Sequence, residues 1–440
     1  MHRRTLNLGI PAHVDAGKTT LTEPPPGAGA APDLWKRPVS GGPDIVAVFL
    51  RWIWWRAVLH NGWWLVTSVY LVVDADLSAS QLVLIGVAQG VVALVFEVPA
   101  GVVADTISRK WSLVVSHLLM GTAMIATGLV TDFGPLVATQ MLWGLSWTFA
   151  SGADVAWITD ELDEPARISV VLMRSGRAQL TGAAAGIVGI GALGSLMQRS
   201  TAMVLAGAAM LLLGLYVVFR FREQRFVPTS TRRLSASWSI LMRGSALVRS
   251  SRAILLMFAA TFLVNGAWNG FGRLRQLRLV DIGLPSDPVA WFTALGVLTL
   301  LVGAAALRVV EARIDGVRTA LRGYAIACAA GVVGAIGLAG APEELSGSAA
   351  VLLVAGIAMP LTRTLGTIWV NRQTSGDVRA TVHSFLAQAE YFGEIVCGLA
   401  IAVVARFAGL SPALLTCGAL FAITIFLIQR LGTSPRRAPG

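Results

Sequence analysis

Two glutamates, Glu390 and Glu394, stand four residues apart inside an apolar run near the C-terminal end of the chain. At i and i+4 they share one face of a helix. Carboxylates that close resist joint ionisation, so they either share a proton or recruit a cation, and Arg363 in the neighbouring apolar run is the cation at hand. Reversible proton binding in an apolar setting is the chemistry that proton-coupled exchange requires. A static buried ion pair is the alternative that the spacing leaves open. Asp154 and Glu97 stand in two other apolar runs. Charges so placed cost about 2.5–3.5 kcal/mol each on insertion scales and are candidates for function by default. Asp154 reads as standing alone, close to a "TDEL" turn. Glu97, late in its run, can equally support the loop that follows. No cluster suggests covalent catalysis, and the expectation is a protein that is not an enzyme and uses no cofactor or metal. Cys328, Cys397 and Cys417 lie in apolar runs without CxxC spacing and read as small buried hydrophobes.

The segments that carry these acids are themselves unusual. The chain has 440 residues, 55% hydrophobic and 13% charged, against about 25% charged in soluble domains. Repeated apolar runs of about 20 residues are long enough to cross the hydrocarbon core as helices. The sequence therefore predicts an all-α integral membrane protein. Twelve runs can be marked, near 52–73, 81–101, 112–131, 135–157, 175–196, 201–219, 253–272, 290–307, 321–340, 349–370, 382–406 and 412–429. The predicted organisation is an N-terminal extension and linker (1–43), a six-helix bundle (44–219), a basic connection (220–252), a second six-helix bundle (253–430) and a tail (431–440). With the N-terminus in the cytoplasm, 28 of the 35 basic residues fall on the inner side. The positive-inside rule then puts both termini and the connection in the cytoplasm. This accounts for the net charge of +11 without nucleic acid. The exception is "RLRQLR" (Arg273–Arg278), which this boundary leaves as an outer interfacial ring, or else the seventh run ends later than marked. Only three of the basic residues are lysine, a GC-rich, bacterial bias that points to the cytoplasmic membrane of a bacterium.

The 6+6 layout and one local motif together resemble the major facilitator superfamily. "FEVPAGVVADTISRKWSL" (Phe96–Leu113), between the second and third runs, is similar to its Gly-x-x-x-Asp-Arg-x-Gly-Arg-Lys signature at Gly101, Asp105, Arg109 and Lys110, with Thr106 and Ser108 as departures. The resemblance implies a gate loop: Gly101 for close helix approach, Asp105 for the positive end of a neighbouring helix, Arg109 and Lys110 as tethers. "EVPAG" with "SGADVAWITDEL" (Ser151–Leu162) is similar to drug-efflux and tetracycline-type transporters. Gln140, a candidate for the substrate cavity, stands where such exporters often carry an arginine, and Gly182 and Gly186 survive from an antiporter motif whose proline position is Ile187. The same resemblance implies that the first and seventh helices line a central cavity. It thereby marks His60, Asn61, Asn265 and Asn269 as substrate contacts, with Trp147, Trp268 and Tyr391 among the aromatics that could stack on a planar or cationic drug. The implied function is secondary active, proton-coupled efflux of drugs by alternating access, in a monomer whose partners are a drug-like small molecule, protons and the lipid bilayer. An importer or facilitator of a small metabolite is the alternative.

Ahead of the first run, "AHVDAGKT" (Ala12–Thr19) resembles the phosphate loop of tetracycline ribosomal-protection proteins and elongation-factor-G-like GTPases, with Lys18 and Thr19 in the phosphate and magnesium positions. "PPPGAGAAPD" follows and cannot continue the helix that such a loop needs. The switch and base-recognition motifs have no counterpart, so the segment reads as a vestige that binds no nucleotide.

Overall fold

The computed structural model describes residues 45–228 and 251–433, apart from 312, 315 and 375. Lys18, Thr19, the rest of the N-terminal extension and most of the central connection lie outside the described residues. All regular structure among the described residues is helical. The first half holds α1 (Ile45–Val73), α2 (Ala79–Thr106), α3 (Arg109–Thr127), α4 (Phe133–Ala150), α5 (Ala153–Leu162), α6 (Pro165–Leu196) and α7 (Arg199–Arg220). The second holds α8 (Arg252–Ile282), α9 (Pro288–Glu311), α10 (Val317–Ala339), α11 (Glu344–Val351), a π-helical turn (Leu352–Ala358), α12 (Met359–Gln373), α13 (Gly376–Phe407) and α14 (Leu410–Thr433). α4 with α5 makes one traverse, as does α11 with α12, so each half traverses six times.

Both breaks have local causes. Gly152, at φ +71°, takes the left-handed conformation that glycine adopts without penalty, and α5 restarts after it. Pro360, two residues past the π turn, has no N–H, and its ring crowds the carbonyl of Gly356. The widened turn gives that carbonyl room.

Nine of the described helices are long and apolar enough to cross a membrane by length and composition. α1 carries Arg51, Arg56, His60 and Asn61, while α3 and α4 have only 19 and 18 residues. They nevertheless pack into the same bundle, α1 on α6 and α7, and α3 on α4 and α7. Small residues bring the backbones together, as membrane helices require when lipid is as apolar as the side chains. A Cβ on Gly186 would run into the Val58 carbonyl of α1, and one on Gly393 of α13 into the Phe262 carbonyl of α8. The first and fifth traverses of each half therefore cross alike, the mark of an internal repeat.

α1 and α8 begin, and α7 and α14 end, at one face, here termed the terminal face. The halves meet toward the opposite, far face. There Arg199 joins Asp74 at 2.5 Å and reaches Asp287 of the other half at 3.8 Å. A Cβ on Gly194 would lie 3.4 Å from Val289, and one on Gly398 would lie 2.7 Å from Val87. Toward the terminal face, Met173 and Leu180 of α6 and Val309 of α9 are exposed. The described ion pair and close contacts between the halves thus lie toward the far face.

Candidate functional site

A cavity of ≈ 310 Å³ lies between the halves. Its first-half wall comes from α1 (Trp64, Thr67, Ser68), α2 (Gln89, Gly90, Ala93) and α4 (Trp143, Gly144, Trp147). The second half supplies α8 (Trp268, Asn269, Arg273, Arg275, Gln276) and α13 (Glu390, Tyr391, Glu394). Glu390 and Glu394 thus share one face of α13 and turn it to the cavity, where their carboxylates feel each other and the charge of Arg363. Arg363 Nη2 lies 3.9 Å from Glu390 Oε2. Glu394 also has Arg273 and the Asn269 side chain acting on it.

Arg273 is where the structure departs furthest from the sequence reading. α8 runs ten residues beyond the marked end of the seventh apolar run, so "RLRQLR" is no outer ring. Arg273 and Arg275 are helical cavity residues, and Arg278 turns to the carbonyls of Leu338, Ala339 and Ala341. Arg273 donates to Gln89 Oε1, Gln89 donates to Gln140 at 2.9 Å, and Gln140 donates to Thr127 at 3.1 Å. This chain of amides carries the arginine's position from the cavity into the first bundle. It also explains Gln140, which is fully buried in that network and does not line the cavity as expected. The signal was present in the sequence: three arginines on the wrong side of a topology that otherwise obeys the charge rule.

Of the other expected contacts, Trp147, Trp268, Asn269 and Tyr391 line the cavity and His60, Asn61 and Asn265 do not. Asn61 and Asn265 each donate to the carbonyl one turn back, Ala57 and Thr261, at 2.8 and 2.9 Å. That bond satisfies an amide inside a bundle and holds it away from the cavity. His60 is enclosed by aromatic rings, with Trp143 and Trp147 centroids at 5.4 and 5.1 Å.

Asp154 does not stand alone. Arg56 Nη1 of α1 lies 3.5 Å from its Oδ2, and the guanidinium sits over the rings of Trp147 and Trp52 at 4.8 and 5.3 Å. Sequence reading missed the pair because the partners are 98 positions apart and stand in different apolar runs. Glu97 accepts a 2.8 Å hydrogen bond from Ser151 at the α4–α5 break, which places it in support of that break and away from the cavity.

The gate motif is built from two strands of contacts at the terminal face. Arg109 pairs with Asp160, donates to the Ala156 carbonyl at 2.8 Å and lies 3.7 Å from Asp105. Glu223, just past α7, caps the start of α3: it accepts from the backbone N–H groups of Arg109 and Lys110 at 2.8 and 3.1 Å, and from the Ser108 hydroxyl. An acid at a helix N-terminus is stabilised by orphan N–H groups and the helix dipole. Glu223 makes that contact at the start of α3. No atom among the described residues lies within 4 Å of a Cβ built on Gly101, so the close helix approach expected at Gly101 is absent in this conformation. The Lys110 ammonium rests over Trp111 at 5.9 Å. The three cysteines are buried.

A family model described as Major Facilitator Superfamily matches residues 55–398. A search of curated protein sequences finds no match. Among solved structures the chain is similar to the nucleoside transporter NupG, at TM-score 0.71 and 15% identity, covering 89% of this chain and 99% of that one. It is also similar to a POT family transporter in complex with a thioalcohol-conjugated peptide, at TM-score 0.65 and 12% identity, covering 88% and 95%.

Proposed function

We propose, from the premise that the chain belongs to the major facilitator superfamily and is a multi-pass membrane transporter, that it couples proton entry to the export of an aromatic, drug-like compound across a bacterial cytoplasmic membrane. The observation that carries this reading is the pair Glu390 and Glu394 on the cavity wall beside Arg363 and Arg273. A substrate enters from the terminal face, which the charge distribution assigns to the cytoplasm, and settles against the tryptophans. Arg363 is the switchable partner. Its pairing with the acids releases the coupled proton, and its departure allows uptake. Closing of the terminal face and release of the Arg199–Asp287 contact turn the cavity to the far face. The molecule acts as a monomer.

The same fold serves import as well, and the similar structures are a nucleoside transporter and a POT family transporter in complex with a conjugated peptide. The direction of coupling decides between the readings. In inverted vesicles with an imposed pH difference, Glu390→Gln with Glu394→Gln is expected to abolish accumulation against a gradient while downhill exchange of labelled substrate continues. Accumulation by that double variant would place the coupling site elsewhere. Proton-driven movement only toward the terminal face would make the protein an importer.

A further inference from the structure

The cavity wall carries two guanidiniums, Arg273 and Arg275, and two carboxylates, and Arg363 beside it leaves one guanidinium in excess. Its carboxylates are Glu390 and Glu394, and each has a guanidinium acting on it: Arg363 lies 3.9 Å from Glu390, and Arg273 acts on Glu394. Arg275 is the remaining cation of the wall. Its guanidinium lies over the Trp268 ring at 5.7 Å, and Nε donates at 3.3 Å to Gln276 once that amide is turned to satisfy its neighbours. No carboxylate pairs with it among the described residues. A guanidinium offers five donors in a fixed fork that suits a carboxylate, and Arg275 keeps most of that fork uncommitted. Arg275 is half-buried on the cavity wall, and an anionic ligand there would meet a guanidinium that no carboxylate among the described residues neutralises. Around it, Trp64, Trp143, Trp147 and Tyr391 supply flat apolar surface. The volume is at the small end of ligand pockets, which run from about 300 to 1,000 Å³.

We infer that Arg275 is the anion-recognition residue of this cavity, and that the compound it selects is a small flat aromatic molecule bearing a carboxylate or a similar anionic group. The inference rests on the cavity being the substrate site, and it is independent of which acid carries the proton. Protonation of Glu390 or Glu394 during the cycle adds to the positive excess and strengthens the attraction. Arg273 cannot fill the same role freely, because Gln89 and Glu394 already engage it.

The test uses the full chain in lipid nanodiscs without any gradient, reading quenching of tryptophan fluorescence. The probes are matched pairs, naphthalene-2-carboxylate with naphthalene-2-carboxamide and indole-3-acetate with indole-3-acetamide. Each carboxylate is expected to bind about tenfold more tightly than its amide, the scale of one charge-assisted hydrogen-bond pair. Arg275→Gln is expected to erase that preference while leaving the amide affinities unchanged, and Arg275→Lys to keep part of it. Equal binding of acid and amide, failure of every probe to bind, or a preference that survives Arg275→Gln would overturn the inference. Melting temperatures of the variants exclude unfolding as the cause. The double glutamine variant at Glu390 and Glu394 is expected to retain the preference. Loss of coupling in vesicles with the preference intact therefore separates the two proposals.

Discussion

Two acid–arginine pairs sit in the two halves of this protein, and they differ most in the arginine. In the first half, Arg56 is 11% exposed beside an Asp154 at 18%, and two tryptophan rings cover the guanidinium. In the second half, Arg363 is 41% exposed beside a Glu390 at 24%, and the acid lines the cavity. A covered arginine cannot leave its partner without stranding two charges, whereas a half-exposed one can exchange its partner for water at little cost. An ionisable group inside a membrane span is thus a candidate for proton work only when its partner is free to move. By that criterion we propose that Asp154 belongs to the scaffold and Glu390 with Glu394 to the cycle.

The contrast can be broken most directly at the acids themselves. The double substitution Glu390→Gln with Glu394→Gln should reduce pH-driven accumulation to background in vesicles, the largest effect expected anywhere in the molecule. Asp154→Asn should do the opposite: proton coupling remains, while the protein loses on the order of 3–5 kcal/mol through an uncompensated buried Arg56. Thermal denaturation in detergent checks this. Combining it with Arg56→Met should recover most of the loss, and loss of coupling in a well-folded Asp154→Asn protein would erase the distinction drawn here.

A second pair of regions sharpens it, the far face, where the halves touch, and the terminal face. Asp105→Asn keeps shape and removes charge from the gate loop, so turnover should fall about tenfold, roughly 1.4 kcal/mol of barrier, with normal membrane insertion. Unchanged turnover would reduce the loop to a topology signal. Arg199→Gln removes the ion pairs to Asp74 and Asp287 at a partly exposed site, worth about 1 kcal/mol. It should shift the population toward the far-face-open form, measured as faster labelling of a cysteine placed at Thr293. The smallest effect is expected from deleting residues 2–43, which should leave transport intact. A deletion protein that inserts normally but fails to transport, or GTP binding by the full chain, would show that the phosphate-loop segment has a function.

Much of the architecture was legible because it is local. Apolar length marks a span, and i, i+4 spacing puts Glu390 and Glu394 on one face whatever surrounds them. Those properties need only the helix and the bilayer, and the same locality explains why the signature at Gly101 to Lys110 could be read directly. Helix ends were less legible, since "RLRQLR" is charged enough to resemble a loop. Only packing against α2 and α13 shows that α8 continues and brings Arg273 and Arg275 into the cavity.

What the tertiary structure decided is partnership across helices. Arg56 finds Asp154, Arg273 finds Gln89 at a separation of 184 residues, and Glu223 finds the start of α3. Asn265 and Asn269 have the same residue type and the same face, yet one closes on its own backbone and the other faces the cavity. Periodicity fixes the direction of a side chain relative to its own helix axis. Which neighbour stands in that direction depends on how twelve helices cross, and crossing is set by shape, at contacts such as Gly186 on Val58 and Gly393 on Phe262, between residues the chain keeps far apart.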